Sequence, residues 1–109
     1  MKQLQNKVIK FRDERGWQKY HTPKDLAISL SIEASELLEN FQWKSDQEAI
    51  VKNMENIKDE MADVFIYLLM LSKELNVDLE KAVETKLQKN AGKYPIEKAY
   101  GSNKKYNEL

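Results

Sequence analysis

The sequence predicts an all-α fold, a bundle of four helices, and three observations lead there. Apolar residues recur at intervals of three and four through four separate segments, helix-capping residues stand between them, and no stretch alternates apolar and polar for long enough to make a strand. The octet Val64-Phe65-Ile66-Tyr67-Leu68-Leu69-Met70-Leu71 is apolar on every side of a helix, whereas a peripheral helix needs one apolar face. It is therefore expected to pack across a subunit interface as well as within one chain, giving a homo-oligomer, a dimer or a tetramer.

Leu4, Val8 and Phe11 place a short basic helix over residues 2–15, with Gly16 as its stop. The connector Trp17-Gln18-Lys19-Tyr20-His21-Thr22-Pro23 gathers aromatics, as ligand-contacting loops do; Thr22 or Asp25 caps the next helix, and Pro23 suits a first turn. That second helix runs from Lys24 to about Lys44 on the stripe Leu26, Leu30, Leu37 and Phe41. Ser45 and Glu48 form a capping box, so a third helix starts near Asp46. Ile50, Met54, Ile57, Met61, Val64, Leu68, Leu71 and Leu75 carry it to Asn76. Asp78 caps a fourth helix with Leu79, Ala82, Val83 and Leu87 on its apolar face, expected to stop at about Ala91 because Gly92 comes next. Beyond Lys93-Tyr94-Pro95, from about residue 96, lies a polar tail expected to be mobile until a ligand orders it.

At 109 residues the chain reads as one domain, small enough for a partner subunit to complete its core. The absence of cysteine excludes a disulfide framework, a thiolate metal site and a thiol nucleophile, and fits a reducing compartment. The amino terminus Met1-Lys2-Gln3-Leu4-Gln5 has no apolar signal core, and the longest apolar run, eight residues, falls far short of the roughly 20 that cross a bilayer. The expectation is a cytoplasmic protein with no membrane partner. Formal charge is zero, but residues 1–24 carry seven basic against two acidic side chains (+5), residues 25–85 five against fourteen (−9), and residues 86–109 six against two (+4). Without net positive charge there is little to bind a nucleic-acid polymer. An acidic middle between basic ends suits a small polyanion held jointly by a metal and by lysines.

The acidic middle repeats one arrangement. Glu33 and Glu36, then Glu60 and Asp63, are pairs three residues apart, each on one helix face and each entering an apolar stripe rather than a polar flank. Two unit charges about 4 Å apart repel by roughly 4 kcal/mol at an effective dielectric of about 20, before desolvation is counted. Four such carboxylates in one groove require a cation. Ligation by oxygen alone selects a hard ion, Mg²⁺ with Mn²⁺ as a substitute, and Mg²⁺ characteristically bridges carboxylates to phosphates. A di-iron site needs Glu-x-x-His on its helices, and the single histidine, His21, lies in a connector.

Glu33-x-x-Glu36 followed by Glu60-x-x-Asp63 resembles the metal motif of the all-α nucleoside triphosphate pyrophosphatases, the MazG-like superfamily. Trp17-x-x-Tyr20-His21-x-Pro23, Glu36-Leu37-x-Glu39-x-Phe41-Gln42-Trp43-Lys44, Asp63-Val64-x-Ile66-Tyr67-Leu68, Val77-Asp78-Leu79, Lys86-x-x-x-Asn90-x-x-x-Tyr94-Pro95 and Lys105-Tyr106-x-Glu108-Leu109 resemble its dCTP pyrophosphatase branch. The resemblance spans the chain from Arg12 onward. It implies Mg²⁺-dependent hydrolysis of a nucleoside triphosphate to the monophosphate and diphosphate, with Glu33, Glu36, Glu60 and Asp63 holding the ions. Glu36 or Glu39 would orient the attacking water or take its proton. Lys86 and Lys105 are the candidates for the remaining phosphate charge, with Tyr106 as a hydroxyl donor. Trp43 and His21 resemble the family's base-stacking residues, and Asn90 and Tyr67 would supply polar contacts to base or sugar. The substrate so implied is dCTP or a modified deoxycytidine triphosphate, removed from the nucleotide pool. The competing reading is a non-catalytic helical dimer, a nucleotide sensor or protein adaptor, which would bind nucleotide without forming product.

Overall fold

The computed structural model describes residues 1–109. Its helices are α1 (Lys2–Glu14), α2 (Pro23–Glu39), α3 (Asp46–Glu74), α4 (Leu79–Lys93) and the single turn α5 (Ile96–Ala99), with 3₁₀ turns at Gln18–Tyr20 and Tyr106–Glu108 and no strand. None is long and apolar enough to cross a membrane. The chain divides into two compact units, Met1–Asn76 and Val77–Leu109.

Helix starts reflect the local chemistry of the sequence. Thr22 caps α2 by accepting from the Asp25 amide, with Pro23 in the first turn. Ser45 and Glu48 complete a reciprocal capping box on α3, and Asp78 accepts from the Lys81 amide at the start of α4. Gly16 comes after α1 with φ at +65°, a conformation that glycine adopts without steric cost.

Two helix ends differ from the sequence expectation. α2 ends at Glu39 rather than near Lys44, because residues 40–42 turn tightly: the amides of Asn40, Phe41 and Gln42 donate three residues back, to Leu37, Leu38 and Glu39. Trp43 then adopts a left-handed φ of 59°, a departure that costs an L-residue about 1–2 kcal/mol. Phe41 keeps the helical spacing of the stripe and so masks the break. α4 runs through Gly92 to Lys93. Its stop is set instead by Pro95, whose ring disfavours the helical region for Tyr94, found at φ −124° and ψ 69°.

In the first unit α2 and α3 form a helical hairpin and α1 lies against α3. Leu26 of α2, Val8 of α1, and Ala49, Ile57, Leu69 and Met70 of α3 are buried. Directional bonds fix where α1 sits along α3. Gln5 Nε2 donates to the Leu69 carbonyl at 3.1 Å and to Ser72 Oγ at 2.8 Å, and buried Arg12 pairs with Glu74 at 2.8 Å. The apolar stripe of α3 is wider than its neighbours cover: Ile50, Met54, Met61 and Leu75 are exposed, and of the octet Val64–Leu71 only Leu69 and Met70 are buried. In the second unit the Tyr106 ring stands edge-on to Tyr94, centroids 6.2 Å apart, with Lys93 Nζ 4.9 Å from its centroid. These contacts fold the last 3₁₀ turn back onto the end of α4.

Candidate metal centre and active site

The α2–α3 hairpin carries Glu33 and Glu36 on one helix and Glu60 on the other, each half-buried. One carboxylate oxygen from each lies within 4.8 Å of the other two. Oε2 of Glu33 and Oε2 of Glu60 are buried, and with the acids ionised neither has a hydrogen-bond partner. A buried polar atom without a partner is costly, more so when charged, and here two of them belong to acids that also repel. Their protonation reflects this. Burial pushes Glu33 up to about 7, helped by hydrogen bonding with Glu60 and Glu36 and by the charges of Glu36 and Asp63. A hydrogen bond from Glu33 lowers Glu60, but lost hydration and the charges of Glu36 and Asp63 outweigh it and leave Glu60 raised as well. An all-oxygen donor set with two unpartnered atoms and more negative charge than it can comfortably hold fits a hard divalent cation.

The other residues singled out in the sequence fall in several places. Asp63 is half-buried and outside the 4.8 Å group, though its charge bears on Glu33, Glu60 and Tyr67. Glu39 is exposed, one turn beyond Glu36 at the end of α2. Tyr67 is half-buried, with its hydroxyl pKa raised first by burial and then by Glu33, Asp63 and Glu36, against a hydrogen bond with Ser29 that lowers it. It therefore stays protonated and able to donate. His21 stands edge-on to Tyr67, ring centroids 6.4 Å apart, and its Nδ1 is buried without a partner. Burial and the nearby Arg12 charge lower its pKa, against Glu74 and Asp25, so the ring is neutral at pH 7. Trp43 is 97% exposed at the tip of the hairpin turn, so it contributes nothing to the packing of this chain.

Lys86, Asn90, Lys105 and Tyr106 belong to the second unit. Lys86 lines a shallow depression of about 430 Å³ along α4 with Lys81 and Lys89. Asn90 is half-buried, and Lys105 and Tyr106 are exposed.

Comparison with known proteins matches these features to a family. The sequence pattern described as the MazG-like family matches residues 28–109, which include all four acids of the two pairs. The chain belongs to the MazG-like family. Among the curated relatives of this MazG-like chain, dCTP pyrophosphatase 1 of Rattus norvegicus is 39% identical over 104 aligned residues and that of Homo sapiens 38%. Both alignments cover 91% of this chain, but the chain spans only 61% of the length of those relatives. The crystal structure of a pyrophosphatase from Archaeoglobus fulgidus superposes with a TM-score of 0.82 at 46% identity, covering 87% of this chain and 92% of that one.

Sequence reasoning passed over Asn40, Asn53, Asn56 and Ser29. The asparagines had a legible signal: residues 33, 36 and 40, and residues 53, 56, 60 and 63, continue the acidic pairs at intervals of three and four along the same helix faces.

Proposed function

We propose that this MazG-like protein hydrolyses a nucleoside triphosphate to the monophosphate and diphosphate with Mg²⁺, and that its preferred substrate is dCTP or a modified deoxycytidine triphosphate. The observation that carries the reading is the convergence of Glu33, Glu36 and Glu60 within 4.8 Å with buried, unpartnered oxygens on two of them. Mg²⁺ held by Glu33, Glu36 and Glu60, with Asp63 beside them, would supply charge neutralisation at the phosphate oxygens and acidity to a water. Glu39, exposed one turn beyond Glu36, is the residue proposed to orient the attacking water or accept its proton, with Glu36 as the alternative. Protonated Tyr67 and neutral His21 offer a hydroxyl and a ring to base or sugar, and the free face of Trp43 offers a stacking surface. Lys86, Lys105, Asn90 and Tyr106 of the second unit are the proposed contacts to the remaining phosphate charge and the nucleoside. The name of the curated relatives, dCTP pyrophosphatase 1, supports the substrate.

Self-association belongs to the same proposal. Only six hydrophobic residues of the chain are buried, while Ile28 (49%) and Ile32 (52%) on α2 and Met61 (57%) on α3 stay open. A second copy covering these helices would complete the core. Sedimentation at micromolar concentration then gives a dimer or tetramer; a monomer contradicts it.

The activity is tested by incubating the protein with Mg²⁺ and dCTP, 5-methyl-dCTP, dUTP and the ribonucleotides, and identifying the products. Diphosphate and monophosphate, formed fastest from a deoxycytidine nucleotide, are expected. Orthophosphate, or no turnover of any of them, refutes the proposal.

A further inference from the structure

Next to the acids, the same two helix faces carry three asparagines that close a polar clasp at the hairpin's turn. Asn40, the residue that caps the C-terminal end of α2, is 6% exposed. Its Oδ1 accepts from Asn56 Nδ2 at 2.8 Å, and its main-chain carbonyl accepts from Asn53 Nδ2 at 2.9 Å. Its own Nδ2 donates to the carbonyls of Glu36 and Leu37 at 3.3 and 3.4 Å. One residue, through its side chain and its main-chain carbonyl, thus ties the last turn of α2, including the main chain of Glu36, to α3 one and two turns before Glu60.

We propose that Asn40, Asn53 and Asn56 are positioning residues that fix the register of α2 on α3 and so hold Glu36 and Glu33 opposite Glu60 in cation-binding geometry. This rests on the reading of the acids as a cation site. The physical need is specific to this hairpin. Apolar burial is non-directional and by itself does little to set where one helix sits along another, whereas three carboxylates that repel one another push the two helices apart at the point where they must meet. Hydrogen bonds with fixed lengths and angles resist that motion. The 33-36-40 and 53-56-60-63 spacing places clasp and acids on one continuous seam, so a shift at the asparagines is transmitted along rigid helix to the ligands. Groups that orient metal ligands typically change affinity by about 10- to 100-fold when removed.

The test uses Mn²⁺ as the probe, with electron paramagnetic resonance reporting free against bound ion. Asn56→Ala removes one arm of the clasp at an exposed position of α3, and Asn53→Ala removes the other. Ser72→Ala, which removes one of the two bonds from Gln5 of α1 to α3, controls for destabilisation alone. The expected result is Mn²⁺ binding weakened about ten-fold or more in Asn56→Ala and Asn53→Ala, with an equal rise in the Mg²⁺ concentration needed for half-maximal turnover. kcat at saturating Mg²⁺ should be largely kept, and Mn²⁺ affinity in Ser72→Ala unchanged. If both asparagine variants bind Mn²⁺ as the unaltered protein does, or if Ser72→Ala loses as much, the clasp is structural and the inference is overturned. If the unaltered protein binds no Mn²⁺ even with nucleotide, the cation site itself fails, and the clasp's role with it.

Discussion

The two halves of the α2–α3 seam solve opposite problems with similar side chains. At the turn, Asn40 accepts from Asn56 at its side chain and from Asn53 at its main-chain carbonyl, its own amide donates to the Glu36 carbonyl, and no buried side-chain atom of the three is left without a partner. Further along, Glu33, Glu36 and Glu60 meet as acids, and two buried oxygens are left without partners. The amide half is complete as it stands, and the acid half is complete only with something added. A polar cluster that stays incomplete inside a well-formed hairpin points to a ligand, since a purely structural cluster would be expected to satisfy itself as the asparagines do.

The strongest way to break that contrast is to make the acid half resemble the amide half. Glu60→Gln keeps volume but removes a ligand charge, so turnover should fall by about a hundred-fold or more, while the metal-free protein melts no lower than before. Unchanged turnover would remove Glu60 from the site. Next in size, Asn40→Ala leaves Asn56 without its acceptor and the end of α2 without its cap. A loss of about 1–3 kcal/mol is expected in a denaturant titration with an unchanged m-value; a loss near zero would mean that the clasp bonds do not hold.

Proton linkage distinguishes the two halves more gently. Glu33 keeps its proton to about pH 7 in the fold against an ordinary 4.5, so between these values the folded chain binds a proton that the unfolded chain has released. Stability contributed this way is fully present below about pH 4.5 and is lost as pH rises through about 7. EDTA-treated protein should therefore melt at progressively lower temperature from pH 5 to pH 8, and Mg²⁺, which favours the ionised acids, should reduce the fall. A melting temperature that climbs across the same range contradicts the assignment. The smallest effect on the fold is expected at the hairpin tip: Trp43→Ala should change stability by no more than about 0.5 kcal/mol, because the side chain is 97% exposed. A raised KM for nucleotide would then report its stacking role, and an unchanged KM would remove it.

Legibility from sequence tracked the range of the interactions. The capping box of Ser45 and Glu48, the Thr22–Pro23 start of α2 and the left-handed Gly16 are local, and each stands where the residues imply. The meeting of Glu33, Glu36 and Glu60 was legible because charge on an apolar stripe is conspicuous, whereas Asp63 stands outside that group. The early end of α2 was not, because Phe41 keeps helical spacing while Trp43 leaves the helix. Gly92 misled because its freedom permits a stop without requiring one; Pro95 imposes it. The clasp was legible only in part: the spacing puts the asparagines on the faces that carry the acids, but an asparagine at a helix end is common, and only the bond between residues 40 and 56 shows what this one does.

Calorimetric titration of Mg²⁺ into the protein holding a non-hydrolysable dCTP analogue, run in parallel on Glu60→Gln, tests the central claim most directly. The account predicts cation uptake by the unaltered protein and a loss of most of that affinity in the variant. No uptake by the unaltered protein, or equal uptake by both, would contradict it.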